Sequence, residues 1–290
     1  MNNPVFRPPS EADSLILQID QGCPYNRCTF CAMYKDIAYK RRNIEEIRFI
    51  LENEVGSSEH VKRIFLADGD AMKRPYEELC LILELIIQKI PGLTRINSYA
   101  TGSSILDKTE KELQTLRSLK LHTLYIGLES GDEETLRNVK KRETAEEMVQ
   151  AVCLAQSAGL RVSVIVLLGL AGSKRSHDHA INTAKVLNQM QPRLLSFLRL
   201  VPVTGTELKR QIDAGEMDQL SEYSVIEEMR NIAENLELKK TVFRADHSSN
   251  IVPLEARLPR DKTDLLHHLN SMLNSGNLDK TSPGTLPLWL

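Results

Sequence analysis

VKRIFLADGDAMKRPYEELCLILELIIQKI, residues 61–90, is one unit of the pattern that decides the fold. Its first part, VKRIFLA, is a short run rich in apolar and β-branched residues, which predicts a buried strand. Its last part, YEELCLILELIIQKI, has apolar residues at the i, i+3, i+4 and i+7 spacing of an amphipathic helix. A strand followed by a helix occurs about six times along the chain. This repetition predicts the α/β fold class, with a parallel sheet and right-handed crossovers.

The same two patterns give the remaining elements. Strands are predicted over 14–20, 61–67, 94–100, 122–128, 160–170 and 193–201, and helices over 43–55, 76–90, 109–120, 144–159 and 177–190. After Pro202 the alternation ends, and the sequence predicts a helix over 221–237, a short strand over 240–245 and a last helix over 261–274. No linker along the chain is strong enough to predict independent domains.

Composition limits the classes of partner and compartment. The 290 residues include 37 Lys and Arg against 39 Asp and Glu, and a net charge of −2 creates no field that would attract nucleic acid or an acidic membrane. An apolar fraction of 41% supports a sizeable core. The amino terminus shows no signal pattern, and no apolar run approaches the ~20 residues of a membrane span, so we expect a cytoplasmic protein. In that reducing compartment, clustered cysteines indicate metal or redox chemistry.

Three of the five cysteines cluster in GCPYNRCTFC, residues 22–31. Cys23, Cys28 and Cys31 follow the first predicted strand, and the carboxyl ends of parallel strands are where α/β folds build their sites. A structural zinc site takes four ligands, commonly as two separated pairs, and the other two cysteines lie inside predicted helices. A 4Fe–4S cluster held by three thiolates needs no fourth protein ligand. The cysteines alone favour an iron–sulfur site over zinc and leave both interpretations open.

Together with the six strand–helix units, CPYNRCTFC (23–31) resembles the cluster loop of the radical S-adenosylmethionine (SAM) superfamily. The usual loop has three residues between its first two cysteines, whereas this chain has four, followed by the usual two. YIGLESGDEETL (125–136) is similar to the fourth strand of the branch that contains oxygen-independent coproporphyrinogen oxidases and methylthiotransferases. Such matches follow one another in the family's order from residue 14 to about residue 206.

The resemblance implies a partial (β/α)6 barrel over residues 14–206. An N-terminal arm (1–13) precedes it, and a short α/β C-terminal extension (207–275) follows as a substrate-side cap, with a loose tail over 276–290. It also implies that Cys23, Cys28 and Cys31 are the ligands of one 4Fe–4S cluster.

The resemblance further implies a set of SAM-binding residues at strand ends. FLADGD (65–70) matches the turn that receives the methionyl amino group, Glu129 would accept hydrogen bonds from the ribose, and Phe30 would lie near the adenine. The full set is Phe30, Ala67, Asp68, Gly69, Asp70, Glu129, Ser130, Leu168 and Arg199. The alternatives stay open at this point: an ordinary strand-to-helix turn for 67–70, a helix cap for Ser130, and a side chain reaching the rim for Arg199.

Candidates for the substrate side are Tyr99, at the end of the third predicted strand, and Arg244, His247 and Asn250 in FRADHSSN (243–250). A surface turn rich in Asp, Asn and Ser explains the latter segment nearly as well. The histidines of SKRSHDH (173–179) are predicted to lie in a solvated loop and first helical turn. The charge run KKRE (140–143) is predicted to be a solvated connection between helices.

The function implied is that of a radical SAM enzyme. It would cleave SAM reductively to a 5′-deoxyadenosyl radical, which abstracts hydrogen from an unidentified small-molecule or cofactor-pathway substrate. A low-potential donor such as reduced flavodoxin or ferredoxin would supply the electron. The alternatives are a radical SAM enzyme that modifies tRNA and a non-catalytic iron–sulfur or metal-binding protein. The near-neutral charge argues against nucleic acid as a partner, and no membrane partner is expected.

Overall fold

The structure is a computed structural model that describes residues 5–53 and 60–285. The alternation of strands and helices predicted before Pro202 is present, with additional short elements between its members. The chain divides into two compact units. The first unit consists of Met1–Asn26, Met33–Ile126 and Gln150–Val162, and the second of Arg27–Ala32, Gly127–Val149 and Ser163–Leu290.

The strands of the described residues follow one another along the chain. They are β1 (Leu15–Leu17), β2 (Asp20–Gln21), β3 (Lys40–Arg41), β4 (Arg63–Leu66), β5 (Arg95–Ala100), β6 (Leu121–Glu129), β7 (Arg161–Leu168), β8 (Leu194–Arg199), β9 (Thr241–Arg244) and β10 (Glu255–Leu258). All six predicted strands are therefore found, and the first is shorter than expected because the chain leaves the sheet after Leu17.

The helices of the same residues complete the alternation. They are α1 (Ile44–Asn53), α2 (Tyr76–Lys89), α3 (Gly102–Leu106), α4 (Glu110–Ser118), α5 (Glu133–Asn138), α6 (Ala145–Ser157), α7 (Gly172–Met190), α8 (Glu207–Asp213), α9 (Glu222–Asn235) and α10 (Lys262–Asn274). The last two residues of the helix predicted over 43–55 lie outside the described residues. No helix of the described part is both long and apolar enough to cross a bilayer.

Polar side chains fix where several helices begin. The hydroxyls of Thr101, Thr109, Thr206 and Ser221 and the carboxylate of Asp132 each accept a hydrogen bond from a backbone N–H in the first turn of the helix that follows. Such caps satisfy donors that have no partner within the helix. Three of these caps start the short helices α3, α5 and α8, which the hydrophobic period did not predict.

In the first unit, β1, β4, β5 and β6 are parallel neighbours in that order. Leu17 is the register partner of Leu66, and Leu66 is the partner of Ser98. The carboxyl ends of β1 and β4 therefore lie side by side. Beyond β1, the short antiparallel pair of β2 and β3 ties Asp20 to Arg41 and closes the loop that begins at the first cysteine.

The N-terminal arm contributes a buried carboxylate to the first unit. Glu11 is 2% exposed, and its side chain accepts hydrogen bonds from Asn97 (2.8 Å), Tyr125 (2.5 Å) and Ser14 (2.6 Å). Burying a carboxylate is costly unless donors surround it, and here three donors do. Glu11 thus fixes the arm to β5 and β6.

In the second unit, β7, β8 and β9 are parallel, and β10 returns antiparallel to β9. The sequence predicts β9, but it does not predict β10, which has only four residues. Helix α9 packs against α7 and α10. The segment predicted as a loose tail is bonded to the start of α9: the amide of Glu222 donates to Ser282 O (3.0 Å) and that of Tyr223 to Asp279 O (3.0 Å). Residues 286–290 lie outside the described residues.

Candidate active site

The first cysteine of the cluster loop lies against the turn that follows β4. Gly69 donates its backbone N–H to Gly22 O at 3.0 Å. A Cβ added to Gly69 would lie 2.5 Å from Cys23 Cβ and 2.8 Å from Cys23 Sγ, so only glycine allows this approach. The turn predicted for the methionyl amino group is therefore in contact with the first predicted cluster ligand.

The acidic residues of this turn are held by neighbours in the first unit. Asp68 has a φ of +73° and accepts hydrogen bonds from Gln18 Nε2 (2.8 Å) and Gly22 N (3.2 Å). Burial raises the pKa of Asp68 despite these two donors. Asp70 is also buried, and its Oδ2 accepts a hydrogen bond from Thr101 Oγ1 at 2.7 Å. Ala67 has no exposed surface.

Tyr99, a predicted substrate-side residue, is half-buried at the end of β5. Its ring meets Phe65 edge-to-face with centroids 4.9 Å apart and Tyr125 at 6.4 Å. Burial raises the pKa of its hydroxyl, so it stays protonated at neutral pH. The structure thus places Tyr99 in an aromatic cluster of the first unit.

The other two cysteines lie in a loop fixed within the second unit. Cys31 N donates to Cys28 O at 3.4 Å, which makes a tight turn. Between them, Thr29 N donates to Val139 O and Thr29 O accepts from Leu208 N, each at 3.0 Å. Phe30 packs against an apolar cluster formed by Val139, Leu170, Leu200 and Leu208. Two of these side chains follow the ends of β7 and β8, so Phe30 lies beside the strand ends from which adenine contacts are predicted.

Lys141, which is predicted from the sequence to be solvated, lies beside Glu129 and interacts electrostatically with Cys28. Lys141 Nζ is 3.3 Å from Glu129 Oε1, and the two side chains are only 10% and 13% exposed. Burial alone would lower the pKa of Lys141, but the negative charges of Glu129, Cys28 and Glu143 outweigh it and raise the pKa. The prediction that KKRE (140–143) is solvated is therefore wrong for Lys141 and for Glu143, which is 4% exposed.

Ser130 and His179 form a buried pair. Ser130 Oγ lies 2.7 Å from His179 Nδ1, and neither residue has exposed surface. Helix α7 begins at Gly172, five residues before the predicted start, because Ser173 N finds a tertiary cap in the carboxylate of Asp218 (3.0 Å). The predicted solvated loop is thus a helix, and the prediction of solvent exposure is wrong for His179.

Leu168 and Arg199 are register partners at the ends of β7 and β8. They line a small cavity of about 10 Å³, roughly the space of one water. Arg199 is 4% exposed, and its guanidinium donates to Pro283 O (2.9 Å) and Thr285 O (3.1 Å). Burial lowers the pKa of Arg199. A guanidinium with carbonyl partners and little exposed surface is suited to an anionic group.

The loop after β9 brings two other predicted substrate-side residues to the end of β8. His247 Nδ1 lies 2.9 Å from Ser249 Oγ, which accepts a hydrogen bond from Arg199 N at 3.1 Å. Asn250 Nδ2 donates to Phe197 O at 2.7 Å. Burial lowers the pKa of His247. Arg244 stays apart from them, with a side chain that is 38% exposed and lies 3.7 Å from Glu255 of β10.

The donor set fits an iron–sulfur cluster chemically. All five cysteines lie in the described ranges and none is joined in a disulfide. Thiolates are the ligands that such clusters take, and Lys141 places a positive charge beside Cys28, which favours the thiolate form. Across residues 5–53 and 60–285, however, no three His, Cys, Asp or Glu side chains form a ready-made metal group. The fit therefore rests on the surroundings of each thiol.

Comparison with known families gives one match that covers more than half of the chain. The model described as the radical SAM superfamily matches residues 17–184. This span begins at the last residue of β1 and ends inside α7. It includes the three clustered cysteines, the turn after β4 and the turn after β6.

Among curated proteins, an uncharacterized protein of Methanocaldococcus jannaschii is 25% identical over 233 residues, which cover 76% of this chain and 70% of that one. An oxygen-independent coproporphyrinogen-III oxidase-like protein of Bacillus subtilis is 24% identical over 57% of this chain. A putative methylthiotransferase of M. jannaschii is 22% identical over 52% of it. The chain spans only 34% of the length of each of these last two proteins.

Among solved structures, coproporphyrinogen III oxidase from Escherichia coli, described as a radical SAM enzyme, superposes with a TM-score of 0.56. The match covers 76% of this chain and 50% of that one at 16% identity. Methylornithine synthase superposes with a TM-score of 0.53 over 89% of this chain and 81% of that one, also at 16% identity. At such identities the likeness concerns the fold.

Proposed function

The chain belongs to the radical SAM superfamily, and from that premise we propose that it cleaves SAM at a 4Fe–4S cluster and modifies a small-molecule or cofactor-pathway substrate by hydrogen abstraction. Members of the superfamily are enzymes that use a 4Fe–4S cluster and SAM, cleave SAM by radical chemistry, and need a reductant and a substrate. The predicted family, the α/β partial-barrel fold class, the cofactors and the enzymatic nature are confirmed at this level.

One contact carries the proposal for this chain: the packing of Gly69 against Cys23. In our assignment Cys23, Cys28 and Cys31 hold the cluster, and the turn at 67–70 receives the amino group of SAM. These two roles require the turn and the first thiol to be neighbours, because the amino group binds at the cluster. A strand-to-helix turn without this role has no need to exclude a Cβ at Gly69.

When bound, the cluster supplies the electron that cleaves SAM. The chain's own residues would bind and orient the parts of that cofactor. The carboxylates of Asp68 and Asp70 suit the cationic amine, and Glu129 suits the ribose hydroxyls. Phe30 and Leu168 would border the adenine, and the guanidinium of Arg199 would meet a carboxylate of SAM or of the substrate. Ser130 would shape the turn after Glu129.

Lys141 adds a role that the sequence did not suggest. Its ammonium is buried beside a thiol and a carboxylate, both of which are more stable as anions next to a cation. Cluster binding requires the thiolate form of Cys28, and ribose binding requires Glu129 as an acceptor. Lys141 would therefore balance the negative charge of both predicted sites.

The substrate side is proposed at the end of β8. Asn250 is bonded to this strand and His247 is connected to it through Ser249, next to Arg199, which favours a substrate with polar or anionic groups. Tyr99 and Arg244 stay candidates with weaker support, since one belongs to an aromatic cluster and the other to an edge hairpin. For the reductant, a low-potential carrier such as flavodoxin or ferredoxin fits the range of cluster potentials. A cytoplasmic location stays a prediction.

Anaerobic reconstitution with iron and sulfide, followed by dithionite and SAM, tests the proposal. We expect about four iron and four sulfide per chain and the formation of 5′-deoxyadenosine and methionine. The variant Cys28→Ala should lose both the cluster and the products. Cys153→Ala is the matched control, because Cys153 is exposed in α6 and should leave both unchanged.

Production of 5′-deoxyadenosine by the Cys28→Ala variant at the wild-type rate would overturn the assignment. Incubation of the wild type with SAM and candidate metabolites in deuterated form would then identify the substrate. Transfer of deuterium into 5′-deoxyadenosine is expected from the substrate alone.

A further inference from the structure

One carboxylate of the C-terminal extension holds two of the turns assigned to SAM. We propose that Glu228, in α9, is a positioning residue for SAM binding that acts through Gly169 at the end of β7 and through His179 on the turn at 130–132. The inference rests on the proposed function. It concerns a residue outside the matched span 17–184.

Glu228 is fully buried and shares its two oxygens among partners from two elements. Oε1 accepts a hydrogen bond from Gly169 N at 2.7 Å, and Oε2 accepts one from Ser176 Oγ at 2.5 Å. His179 Nε2 faces Oε1 at 3.6 Å. Gly169 has a φ of +81° and directly follows Leu168, the predicted adenine contact. Burying a carboxylate is costly unless donors surround it. The hydrogen bonds from Gly169 N and Ser176 Oγ offset this cost, and the first of them fixes the end of β7.

The second connection runs through the hydrogen bond between Ser130 and His179 and the contact of His179 with Glu228. Asp132 N donates to Ser130 Oγ at 2.9 Å, so the hydroxyl proton of Ser130 is available for His179 Nδ1 at 2.7 Å. In the tautomer that accepts at Nδ1, His179 carries its proton on Nε2. That nitrogen makes no hydrogen bond among the described residues, and it lies 3.6 Å from Glu228 Oε1, beyond hydrogen-bonding distance. These contacts therefore link Glu228 to the residue that follows Glu129.

One face of α7 presents the remaining contacts to this turn. Gly131 N donates to Thr183 Oγ1 at 2.8 Å, and a Cβ on Gly131 would lie 2.5 Å from Asn182 O. Arg175 Nη2 and Asn182 Nδ2 donate to Asp132 Oδ1 at 2.9 and 3.0 Å. Residues at such spacing lie on the same face of a helix. Residues 130–132 are thus held over their full length.

The contacts that hold residues 130–132 would also keep Glu129, the residue before them, in a fixed position for ligand binding. Glu129 has a φ of +63°, a conformation that costs a non-glycine residue roughly 1–2 kcal/mol. A strained residue keeps its conformation only when its neighbours prevent relaxation. Loss of Glu228 would let the turn after β6 and the end of β7 relax together. The predicted ribose and adenine contacts would then be lost in one step.

Two substitutions of Glu228 distinguish the effect of its hydrogen bonds on SAM binding from the effect of its charge. Gln keeps an oxygen for Gly169 N and offers its amide to Ser176 Oγ, so Glu228→Gln should bind SAM within about threefold of the wild type. Glu228→Leu has similar volume but no acceptor, and should raise the Kd for SAM roughly tenfold or more. The Kd is measured by equilibrium dialysis on cluster-loaded protein, with iron content and Tm determined for each variant.

Glu11→Leu is the matched control, because Glu11 is likewise a buried carboxylate that accepts hydrogen bonds, and all three of its donors belong to the first unit. It should lower Tm and leave the Kd for SAM unchanged. A Glu228→Leu variant that keeps its cluster and binds SAM as the wild type does would overturn the proposal. An equal rise in Kd for Glu11→Leu would also overturn it, since the effect would then be general loosening.

A pair of His179 variants decides the matter if Glu228→Leu does not fold. Asn places an oxygen near the position of Nδ1 and keeps the acceptor for Ser130, whereas Gln places its polar end near Nε2 and loses that acceptor. We expect both variants to bind SAM roughly tenfold more weakly, because His179→Asn loses the contact with Glu228 and His179→Gln loses the hydrogen bond with Ser130. Equal wild-type Kd values for both would overturn the proposal. If the wild type itself binds no SAM, the proposed function has failed instead.

Discussion

The turns after β4 and after β6 each place an acidic residue in the left-handed region of the backbone, with a φ of +73° at Asp68 and +63° at Glu129. The two carboxylates have different partners. Asp68 accepts hydrogen bonds from the neutral groups Gln18 Nε2 and Gly22 N. Glu129 faces the ammonium of Lys141. Positive φ is more readily adopted by Asp than by Glu, so the second turn stores more strain.

This difference indicates that the carboxylates of Asp68 and Glu129 have different roles. Asp68 uses one oxygen to fix the backbone just before Cys23, so its main role is to hold the cluster loop in place. Glu129 has a side-chain partner in place of a backbone partner, and its carboxylate can therefore be shared with a ligand. Strained non-glycine residues are frequent at functional sites. Of the two residues, Glu129 is the stronger candidate for ligand binding, because its partner is the single charge of Lys141.

The largest effect should come from breaking the first turn at its glycine. In Gly69→Ala the new methyl would lie 2.5 Å from Cys23 Cβ and 2.8 Å from Cys23 Cα, so the cysteine or the turn must move. We expect reconstituted iron and sulfide per chain to fall about tenfold. Colorimetric iron and sulfide analysis measures the loss.

Gly215→Ala is the matched control for that variant. Gly215 has a φ of +73° and nothing within 4 Å of an added Cβ, so the substitution strains the backbone alone. It should cost roughly 1–2 kcal/mol of stability and leave the cluster content intact. A Gly69→Ala protein with the full iron and sulfide content would show that the first turn and Cys23 are not mutually dependent.

Breaking the charge balance of the second turn should have the next largest effect. Lys141→Met removes the cation beside Glu129 and Cys28, which leaves buried negative charge without compensation. We expect a loss of about 3 kcal/mol in the free energy of unfolding. Because the pKa of Lys141 is raised in the folded chain above its ordinary 10.5, this stabilisation is fully present at neutral pH and is lost only as the pH rises through the folded value.

Lys140→Met is the control for this loss. Lys140 pairs with Glu207 at the surface, where the two side chains are 53% and 37% exposed, so its removal should cost less than about 1 kcal/mol. Urea unfolding at pH 7 compares the two variants. Equal losses for Lys140→Met and Lys141→Met would contradict the role of Lys141.

The smallest effect is expected for Asp68→Asn, which tests whether the first turn needs a charge. Asn tolerates positive φ and keeps an oxygen for Gly22 N, so the fold should change little. Burial raises the folded pKa of Asp68 above its ordinary 3.8, so the stability that this group contributes is present below that value and is lost as the pH rises through the folded pKa. The variant lacks this titration.

Relative to the wild type, Asp68→Asn should therefore be more stable at pH 7 than at pH 3.5, which means that its free energy of unfolding minus that of the wild type is larger at pH 7. Urea unfolding at both pH values measures it. The same difference at both pH values would show that the carboxylate of Asp68 is not penalised by burial.

The strand-and-helix pattern could be predicted because period and apolar runs are local properties. The run at 160–170 and the helix at 76–90 each bury a continuous face, which leaves a clear trace in sequence. β10 could not be predicted, since EARL (255–258) is only four residues long and pairs along an edge with β9. The early start of α7 also depends on a distant residue, the capping Asp218.

Only part of the candidate site could be predicted from the sequence. Lys141 belongs to the charged segment KKRE (140–143), a pattern that predicts exposure to solvent. Its partner in the buried site is Glu129, twelve positions earlier. Glu228 did leave a signal: it lies on the apolar face of the predicted helix 221–237, near Val225, Met229 and Ile232, which are all buried. A charged residue on such a face indicates a buried polar role. The segment boundaries predicted at residues 13, 206 and 275 stay predictions.

The most direct test of the central claim is electron paramagnetic resonance of the reconstituted, dithionite-reduced protein with and without SAM, supported by metal and sulfide analysis. We expect one 4Fe–4S cluster per chain, whose signal changes when SAM is added and is absent from the Cys28→Ala variant. Bound zinc without sulfide, or a cluster signal that SAM leaves unchanged, would contradict the claim.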